Sequence, residues 1–350
     1  MLSRRRGASS SVTARVPRVS VLLPVRDAAA TLPEALASLR GQTLLDHEVL
    51  VIDDGSRDGS GEILEAAARE DPRLRVRRRA ARGLVAALNE ALYMAASPLV
   101  ARMDADDVAH PSRLELQAAR LASDARTDVL GCRVRWLGEA ATGGNGMRAY
   151  VDWLNGLIDH DAVVRDLFVE SPLAHPSVMM RTAALRSLGG YRVFDGPEDY
   201  DLWFRAHEAG LRFGKCPETL LDWRDRAERL TRTDPRYRVE RFRDLKVAVL
   251  GRGPLAGGRP SVVWGAGPVG KALARALAEA GHAVVAFVEV DVDKIGQRIQ
   301  GAPVVGLERV GQFPGALHLA AVGQPGARAR IRTEAARLGL AEGRDLVALA

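Results

Sequence analysis

A chain of 350 residues is longer than one hydrophobic core usually serves, so two domains are expected. The net charge is +6, but only four of the 50 basic residues are Lys and 5% of the chain is aromatic, which argues against a nucleic-acid surface. The apolar runs are too short for a transmembrane segment, although peripheral membrane association stays open. Two cysteines cannot form a disulfide framework, so a cytoplasmic protein is expected.

Strands and helices alternate along the first hundred residues. Residues 1–16 are rich in Arg and Ser, lack the apolar core of a signal peptide and predict a disordered tail. Apolar runs at 18–24 and 48–53 predict buried strands, and Thr31-Leu-Pro-Glu34 predicts a capping box that opens a helix. Further elements are predicted as helices at 60–70 and 83–96 and strands at 74–76 and before Asp104. This alternation predicts an α/β fold with a mostly parallel sheet.

Three of the predicted strands end in polar sequence, at 24–27, 53–56 and 104–107. Ligands of parallel sheets bind outside the carboxyl ends of the strands. We therefore expect these three segments to converge on one crevice.

The last of these segments contains Asp104, Asp106 and Asp107. On extended backbone, Asp104 and Asp106 would face the same way and could share one Mg²⁺ or Mn²⁺. The alternative is a solvated acidic turn that caps the helix beginning at Pro111.

Four segments with Pro, Asp and Gly signatures follow one another along the chain: VSVLLPVRD at 19–27, VIDDGSRDGS at 51–60, MDADD at 103–107 and PEDYDLW at 197–203. In this order they resemble the motifs of family 2 glycosyltransferases, which have the GT-A fold. The resemblance implies a nucleotide-diphospho-sugar transferase domain at 17–245, of the hexosyltransferase class. It implies inverting, metal-dependent sugar transfer in polysaccharide or glycoconjugate synthesis. The donor would be a nucleotide sugar, with a UDP-sugar favoured, and the acceptor a glycan, a lipid-linked molecule or a small molecule.

The same resemblance assigns roles to single residues. It gives donor contacts to Pro24, Val25, Arg26, Asp54 and Asp104, the metal to Asp106, the general base to Asp199, and acceptor or phosphate contacts to His175, Glu198 and Arg224. A carboxylate accepts a hydrogen bond from a uracil-type N–H, as required of Asp54. The alternatives are an Asp-Gly turn for Asp54, a helix N-terminus stabilised by Asp199, and a structural role for His175.

The sequence departs from the family pattern at two places. Arg26 and Asp27 stand where relatives commonly have an aromatic residue and Asn, so donor preference is open. Arg226 stands where relatives often have His; an Arg cannot ligate a metal, so weaker metal affinity is expected. Residues 138–160 predict a mobile loop and a helix, and 236–249 predict a linker helix.

A glycine-rich segment marks a boundary, with a linker at 246–260 and a second domain at 261–350. Gly265, Gly267 and Gly270 form G-x-G-x-x-G between a strand and a helix, and an acidic residue, Glu289 or Asp291, ends the next strand. This part resembles Rossmann-like domains of polysaccharide synthesis, and the whole chain is similar to N-acetylglucosaminyltransferase-like fusion proteins. The alternatives are a nucleotide-binding site or a docking domain. A different function, a non-catalytic or NAD-binding protein, would rest on this domain.

Overall fold

The computed structural model describes residues 16–138, 144–226 and 229–350. Residues 1–15 of the predicted tail and 139–143 of the predicted mobile loop lie outside the described residues. Within the described ranges, no helix is both long and apolar enough to cross a membrane.

The described residues form fourteen strands and twelve α-helices. The strands are β1 (Val19–Val25), β2 (His47–Asp53), β3 (Leu74–Arg78), β4 (Leu99–Arg102), β5 (Val108–Ala109), β6 (Val129–Leu137), β7 (Met179–Arg181), β8 (Phe213–Arg224), β9 (Ser261–Trp264), β10 (Val284–Val288), β11 (Arg298–Ile299), β12 (Ala302–Val305), β13 (Leu317–Ala320) and β14 (Leu346–Ala348). The helices are α1 (Leu32–Arg40), α2 (Ser60–Glu70), α3 (Leu84–Met94), α4 (Arg113–Ser123), α5 (Gly144–Gly156), α6 (His160–Asp166), α7 (Thr182–Ser187), α8 (Glu198–Glu208), α9 (Leu230–Thr233), α10 (Val239–Arg252), α11 (Pro268–Glu279) and α12 (Ala327–Arg337).

The first eight strands form one mixed sheet in the order β3-β2-β1-β4-β7-β6-β8-β5. Strands β1 to β4 are parallel, as predicted. The prediction of a mostly parallel sheet is confirmed in part, because β6 and β8 are also parallel, whereas β7 pairs antiparallel with both β4 and β6, and β5 pairs antiparallel with β8. Residues His175–Ser177 form a 3-10 turn, which is followed by the three residues of β7.

Strands β1 and β2 are buried along their whole length, as their apolar runs predict. Their buried polar groups are paired: Ser20 Oγ donates to Glu48 Oε1 at 2.7 Å. The predicted capping box is wrong, because Thr31 Oγ1 donates to Ala105 O at 3.0 Å and Glu34 pairs with Arg224 instead. Thr31 thus ties the start of α1 to the acidic segment after β4.

The last six strands form a second sheet in the order β11-β12-β10-β9-β13-β14. All its neighbouring strands are parallel except β11, which is antiparallel to β12. Helix α11 connects β9 to β10.

Helix α10 spans the start of the predicted linker at 246–260, which also contains a short 3-10 helix, Ala256–Gly258. Leu245, Val249 and Leu250 of α10 are buried. They belong to an apolar cluster that includes residues of both sheets, such as Leu50 and Val263.

Candidate active site

The carboxyl ends of β1 and β2 are joined by hydrogen bonds. Asp54 N donates to Val25 O at 2.9 Å, and Asp27 N donates to Ser56 Oγ at 3.0 Å. Asp27 has φ 46°, and its Oδ1 accepts from Arg57 N at 2.8 Å, which compensates this unusual backbone conformation. The first two predicted segments therefore meet.

Asp54 organises the loop that precedes α3. Its carboxylate is buried and accepts from Arg82 N and Gly83 N, both at 2.8 Å, while Arg79 Nη2 lies 2.9 Å away. Arg26 Nη1 donates to Asp54 O at 3.0 Å and leaves much of its side chain exposed. Pro24 and Val25, by contrast, are buried in β1.

The acidic segment after β4 is a turn, so the expectation of extended backbone at Asp104 and Asp106 is wrong. The turn still brings carboxylate oxygens of Asp104, Asp106 and Asp107 within 4.8 Å of one another. It does not cap the next helix, because α4 begins at Arg113 after Ser112. Three converging carboxylates form the kind of oxygen site that Mg²⁺ and Mn²⁺ take.

Asp107 is the most buried member of this acidic cluster. Its Oδ1 accepts from Arg224 N at 2.8 Å, and its Oδ2 has no hydrogen-bond partner among the described residues. Burial and the charge of Asp104 raise the pKa of both Asp106 and Asp107. A divalent cation fits this group, because it would relieve the repulsion and give Asp107 Oδ2 a partner.

Arginine side chains surround the acidic cluster. The buried Arg102 donates from Nη2 to Asp104 Oδ1 at 2.7 Å, and Arg224 donates from Nε to Asp106 O at 2.8 Å. Arg226 Nε lies 3.8 Å from Asp106 Oδ2. Arg226 therefore places its permanent positive charge beside the predicted metal ligand.

The start of α8 carries the other pair of acids. Glu198 is buried and accepts from Tyr237 Oη at 2.5 Å. Asp199 is partly buried, and its Oδ2 accepts from Ser171 Oγ at 3.4 Å. Burial and the charge of Glu198 raise the pKa of Asp199 to about 7. A helix N-terminus stabilises ionised acids, so helix stabilisation alone does not explain a raised pKa.

Arg102 connects the acidic cluster with α8. It binds Asp104 directly, and its charge acts to lower the pKa of Glu198, although burial outweighs this effect and the pKa stays raised. Arg102 therefore binds Asp104 of the acidic cluster, and its charge also acts on Glu198 of α8.

Comparisons with known proteins identify the family of this chain. The model of the family "Glycosyl transferase family 2" matches residues 20–189. EpsE of Bacillus subtilis (strain 168), whose glycosyltransferase name is provisional, is 30% identical over 229 residues, which are 64% of this chain and 79% of EpsE. The chain belongs to glycosyl transferase family 2. An uncharacterized glycosyltransferase of Haemophilus influenzae is 28% identical over 59% of this chain and 65% of the relative.

Two solved structures show the same fold as this family 2 glycosyltransferase. Staphylococcus aureus TarS 1–349, in complex with UDP-GlcNAc, aligns with a TM-score of 0.54 and 20% identity over 67% of this chain and 66% of its own. The mannosyltransferase PcManGT of Pyrobaculum calidifontis, in complex with GDP-Man and Mn²⁺, aligns with a TM-score of 0.52 and 20% identity over 93% of this chain and 81% of its own. The predicted enzyme class is confirmed, and the mixed sheet is consistent with a GT-A domain.

His175 of the glycosyltransferase is buried in an aromatic environment. Its Nε2 lies 2.9 Å from Tyr191 Oη, and its ring is 5.9 Å from that of Trp203. Burial holds the pKa of His175 well below its usual value, so the side chain is neutral. These contacts favour the structural interpretation of His175, and the predicted acceptor or phosphate contact stays a prediction.

The glycine loop of the second sheet has a tight geometry. Gly265 has φ 106°, and a Cβ on Gly270 would lie 1.9 Å from Gly265 O, whereas a Cβ on Gly267 would meet nothing within 4 Å. Glu289 Oε2 accepts from Ala266 N at 3.0 Å, so this acid closes the loop from the adjacent strand. Asp291 pairs with Lys294 at 3.0 Å.

Sequence reasoning missed several residues that touch the predicted site residues, among them Arg102, Ser171 and Tyr237. Of these, only Arg102 had a local signal, as a charge at the end of an apolar strand that becomes buried.

Proposed function

We propose that this family 2 glycosyltransferase moves a sugar from a nucleotide-sugar donor to an acceptor hydroxyl with inversion at the anomeric carbon. The observation that carries the proposal is the convergence of Asp104, Asp106 and Asp107 after β4, with Arg224 and Arg226 beside them. Such a group can hold a diphosphate and its cation, while Asp199 at the start of α8 can accept a proton.

The donor binds along the carboxyl ends of β1 and β2. Asp54 accepts from the nucleobase, and the exposed Arg26 stacks on the base or faces the diphosphate. Asp54 Oδ1 already contacts Arg82 N and Arg79, whereas Oδ2 accepts only Gly83 N and keeps a second lone pair for this bond. A UDP-sugar is the favoured donor, supported by the UDP-GlcNAc complex of TarS; the GDP-Man complex of PcManGT keeps a GDP-sugar as the second candidate.

Asp106 holds the divalent cation, with Asp104 and Asp107 beside it. When bound, Mg²⁺ or Mn²⁺ offsets the negative charge that develops on the departing nucleoside diphosphate. Arg224 and Arg226 add positive charge at the same place. The Mn²⁺ complex of PcManGT supports a divalent ion here.

Asp199 is the general base. It takes the proton from the acceptor hydroxyl while that oxygen forms a bond to the anomeric carbon and the bond from this carbon to the diphosphate breaks. A single displacement of this kind inverts the configuration. A base with a pKa of about 7 is largely ionised slightly above neutral pH and still binds a proton well.

For the second sheet we propose a Rossmann-like unit whose glycine loop binds a nucleotide. The parallel strand order and the tight turn at Gly265 and Gly270 support this. In the alternative of a docking unit, Glu289 would serve only to close the loop through the bond from Ala266 N.

A thermal-shift panel tests the glycosyltransferase proposal. UDP-, GDP- and dTDP-sugars and NAD(H) are added with and without Mn²⁺ to wild type, to Asp106→Ala and to Asp152→Ala, which removes an exposed acid on α5. We expect one sugar nucleotide to raise the melting temperature in a Mn²⁺-dependent way, in wild type and Asp152→Ala but not in Asp106→Ala. A shift with NAD(H) and with no sugar nucleotide would overturn the proposal.

A further inference from the structure

Residues 166–172, termed here the support segment, contact Asp199, the proposed general base. Ser171 Oγ donates to Asp199 Oδ2, and Ser171 O accepts from Tyr150 Oη at 2.9 Å. Glu170 lies close enough for its charge to raise the pKa of Asp199. The position of this segment therefore influences both the orientation and the proton affinity of Asp199.

The first residue of the support segment is held by the C-terminal part of the chain. Asp166 is buried and accepts from Trp153 Nε1 at 2.9 Å and Arg165 Nε at 3.0 Å. Arg332 of α12 also donates to Asp166 through Nη2, and Arg328 Nη1 lies 4.0 Å away. A buried carboxylate is costly without such partners, so this contact fixes α12 against the support segment.

The middle of the support segment has a second connection. The buried Lys246 donates from Nζ to Val169 O at 2.7 Å and to Leu349 O at 3.2 Å, next to the end of β14. The side chain of Val169 packs into the apolar cluster of the second sheet, with Val262 and Trp264. The C-terminal part of the chain thus contacts the support segment in three ways. Arg332 binds Asp166, Lys246 Nζ bonds both Val169 O and Leu349 O, and the side chain of Val169 packs against the second sheet.

We propose that the C-terminal unit positions the catalytic base, with Arg332 acting through Asp166 and the support segment on Asp199. Arg332 is a positioning residue, since it touches neither base nor substrate. The inference rests on the proposed function, because it takes Asp199 as the base. It gives the C-terminal unit a role in sugar transfer that needs no ligand in the glycine loop.

The charged and titratable groups that face Asp199 come from several elements. They are Glu198 on its own helix, Glu170 of the support segment, Tyr150 of α5, and Tyr191, Tyr200 and Tyr237. The bond from Ser171 acts to lower the pKa of Asp199. Releasing the support segment removes this bond together with the larger, opposite effect of the Glu170 charge, so the pKa of Asp199 should fall and the pH at which turnover declines should move downward.

The experiment compares full-length wild type with Arg332→Ala, Arg332→Lys and Arg337→Ala. Arg337 lies on the same helix and pairs with Glu334 on the exposed face. Amide hydrogen exchange of 166–172 is measured together with kcat, KM and their pH profiles, using the sugar nucleotide selected by the panel. We expect faster exchange in Arg332→Ala, a kcat lower by about tenfold to a hundredfold because the base is misplaced, and an unchanged donor KM. Arg332→Lys should recover part of kcat, and Arg337→Ala should match wild type.

A double-mutant cycle distinguishes positioning from general stabilisation. If Arg332 acts through Ser171, the losses of kcat in Arg332→Ala and Ser171→Ala will not add in the double variant. Additive losses, or a wild-type kcat despite faster exchange, would overturn the inference; Asp166→Asn applies the same criteria if Arg332→Ala does not fold. Turnover that survives Asp199→Asn would instead reject the proposed function, and the exchange result would be unaffected.

Discussion

Asp199 combines a cost in stability with a gain in reactivity. Its raised pKa means that the folded protein favours the protonated carboxyl, so ionisation destabilises the native state as the pH rises from 3.8 toward about 7. Asp199→Asn should therefore lower kcat by about 10²–10⁴-fold while keeping donor binding and, at pH 8, the melting temperature of wild type or higher. Glu208→Gln, at the other end of α8 and paired with Arg252, is the matched control. A kcat within twofold of wild type would exclude Asp199 as the base.

The pH dependence of turnover follows from the same group. The base must be ionised, so kcat should decline as the pH falls through about 7 and should level off above it. Donor binding should not depend on the ionisation of Asp199, because the proposal assigns the donor to Asp54 and the cation to Asp106. A flat profile between pH 6 and 8 would show that the proton is accepted by another group.

Single residues were predicted where a motif carries them. The sequence motifs selected Asp54, Asp106 and Asp199. In the structure, Asp54 accepts a backbone hydrogen bond, and burial raises the pKa of both Asp106 and Asp199. Ser171 and Tyr237 were not selected, because their contacts with the acids of α8 join residues 28 and 39 positions apart. Nothing local in the sequence marks such a contact.

Among the elements, buried strands and amphipathic helices were the most predictable. Helix α2 has the predicted bounds, since its periodicity and the flanking turn residues agree. The predicted capping box does not form, because Thr31 Oγ1 makes a tertiary hydrogen bond with Ala105 O. This bond competes with the local bond of a capping box. The antiparallel pairings of the first sheet were not predicted, because β5 and β7, of two and three residues, are too short to leave a periodic signal.

The glycine loop after β9 allows a prediction about one element. Gly270→Ala should lower the free energy of unfolding by about 1–3 kcal/mol, because its Cβ would overlap Gly265 O at 1.9 Å. Gly267→Ala is the control, since Gly267 has φ −85° and open space around the new Cβ. Chemical denaturation followed by tryptophan fluorescence measures both. Equal stability of the two variants would mean that the loop rearranges without cost.

Across the whole molecule, composition and length indicated two units, but not how they meet. The sequence suggested a linker near 246–260, whereas Leu245, Val249 and Leu250 of α10 are buried in a cluster shared by both sheets. An Arg-rich helix can be a solvated face or a packed one, and only the positions of the second sheet decide this. Contacts such as that of Arg332 with Asp166, 166 positions apart, lie beyond periodicity and spacing.

Lys246 provides the prediction at this scale, because its Nζ joins Val169 O of one unit to Leu349 O at the end of the other. Lys246→Met keeps most of the stem volume and removes the donor, so two carbonyls lose a hydrogen-bond partner. We expect the free energy of unfolding to fall by about 1–3 kcal/mol for each carbonyl. This loss is offset in part because the variant no longer buries an ammonium group. Burial lowers the pKa of Lys246, so wild type should gain stability as the pH rises through that lowered pKa, and the Met variant should not. Urea denaturation at pH 7 and pH 9 measures both effects, with Lys271→Met, an exposed lysine of α11, as the control. If Lys246→Met unfolds at the same urea concentration as wild type at both pH values, this ammonium group does not hold the two units together.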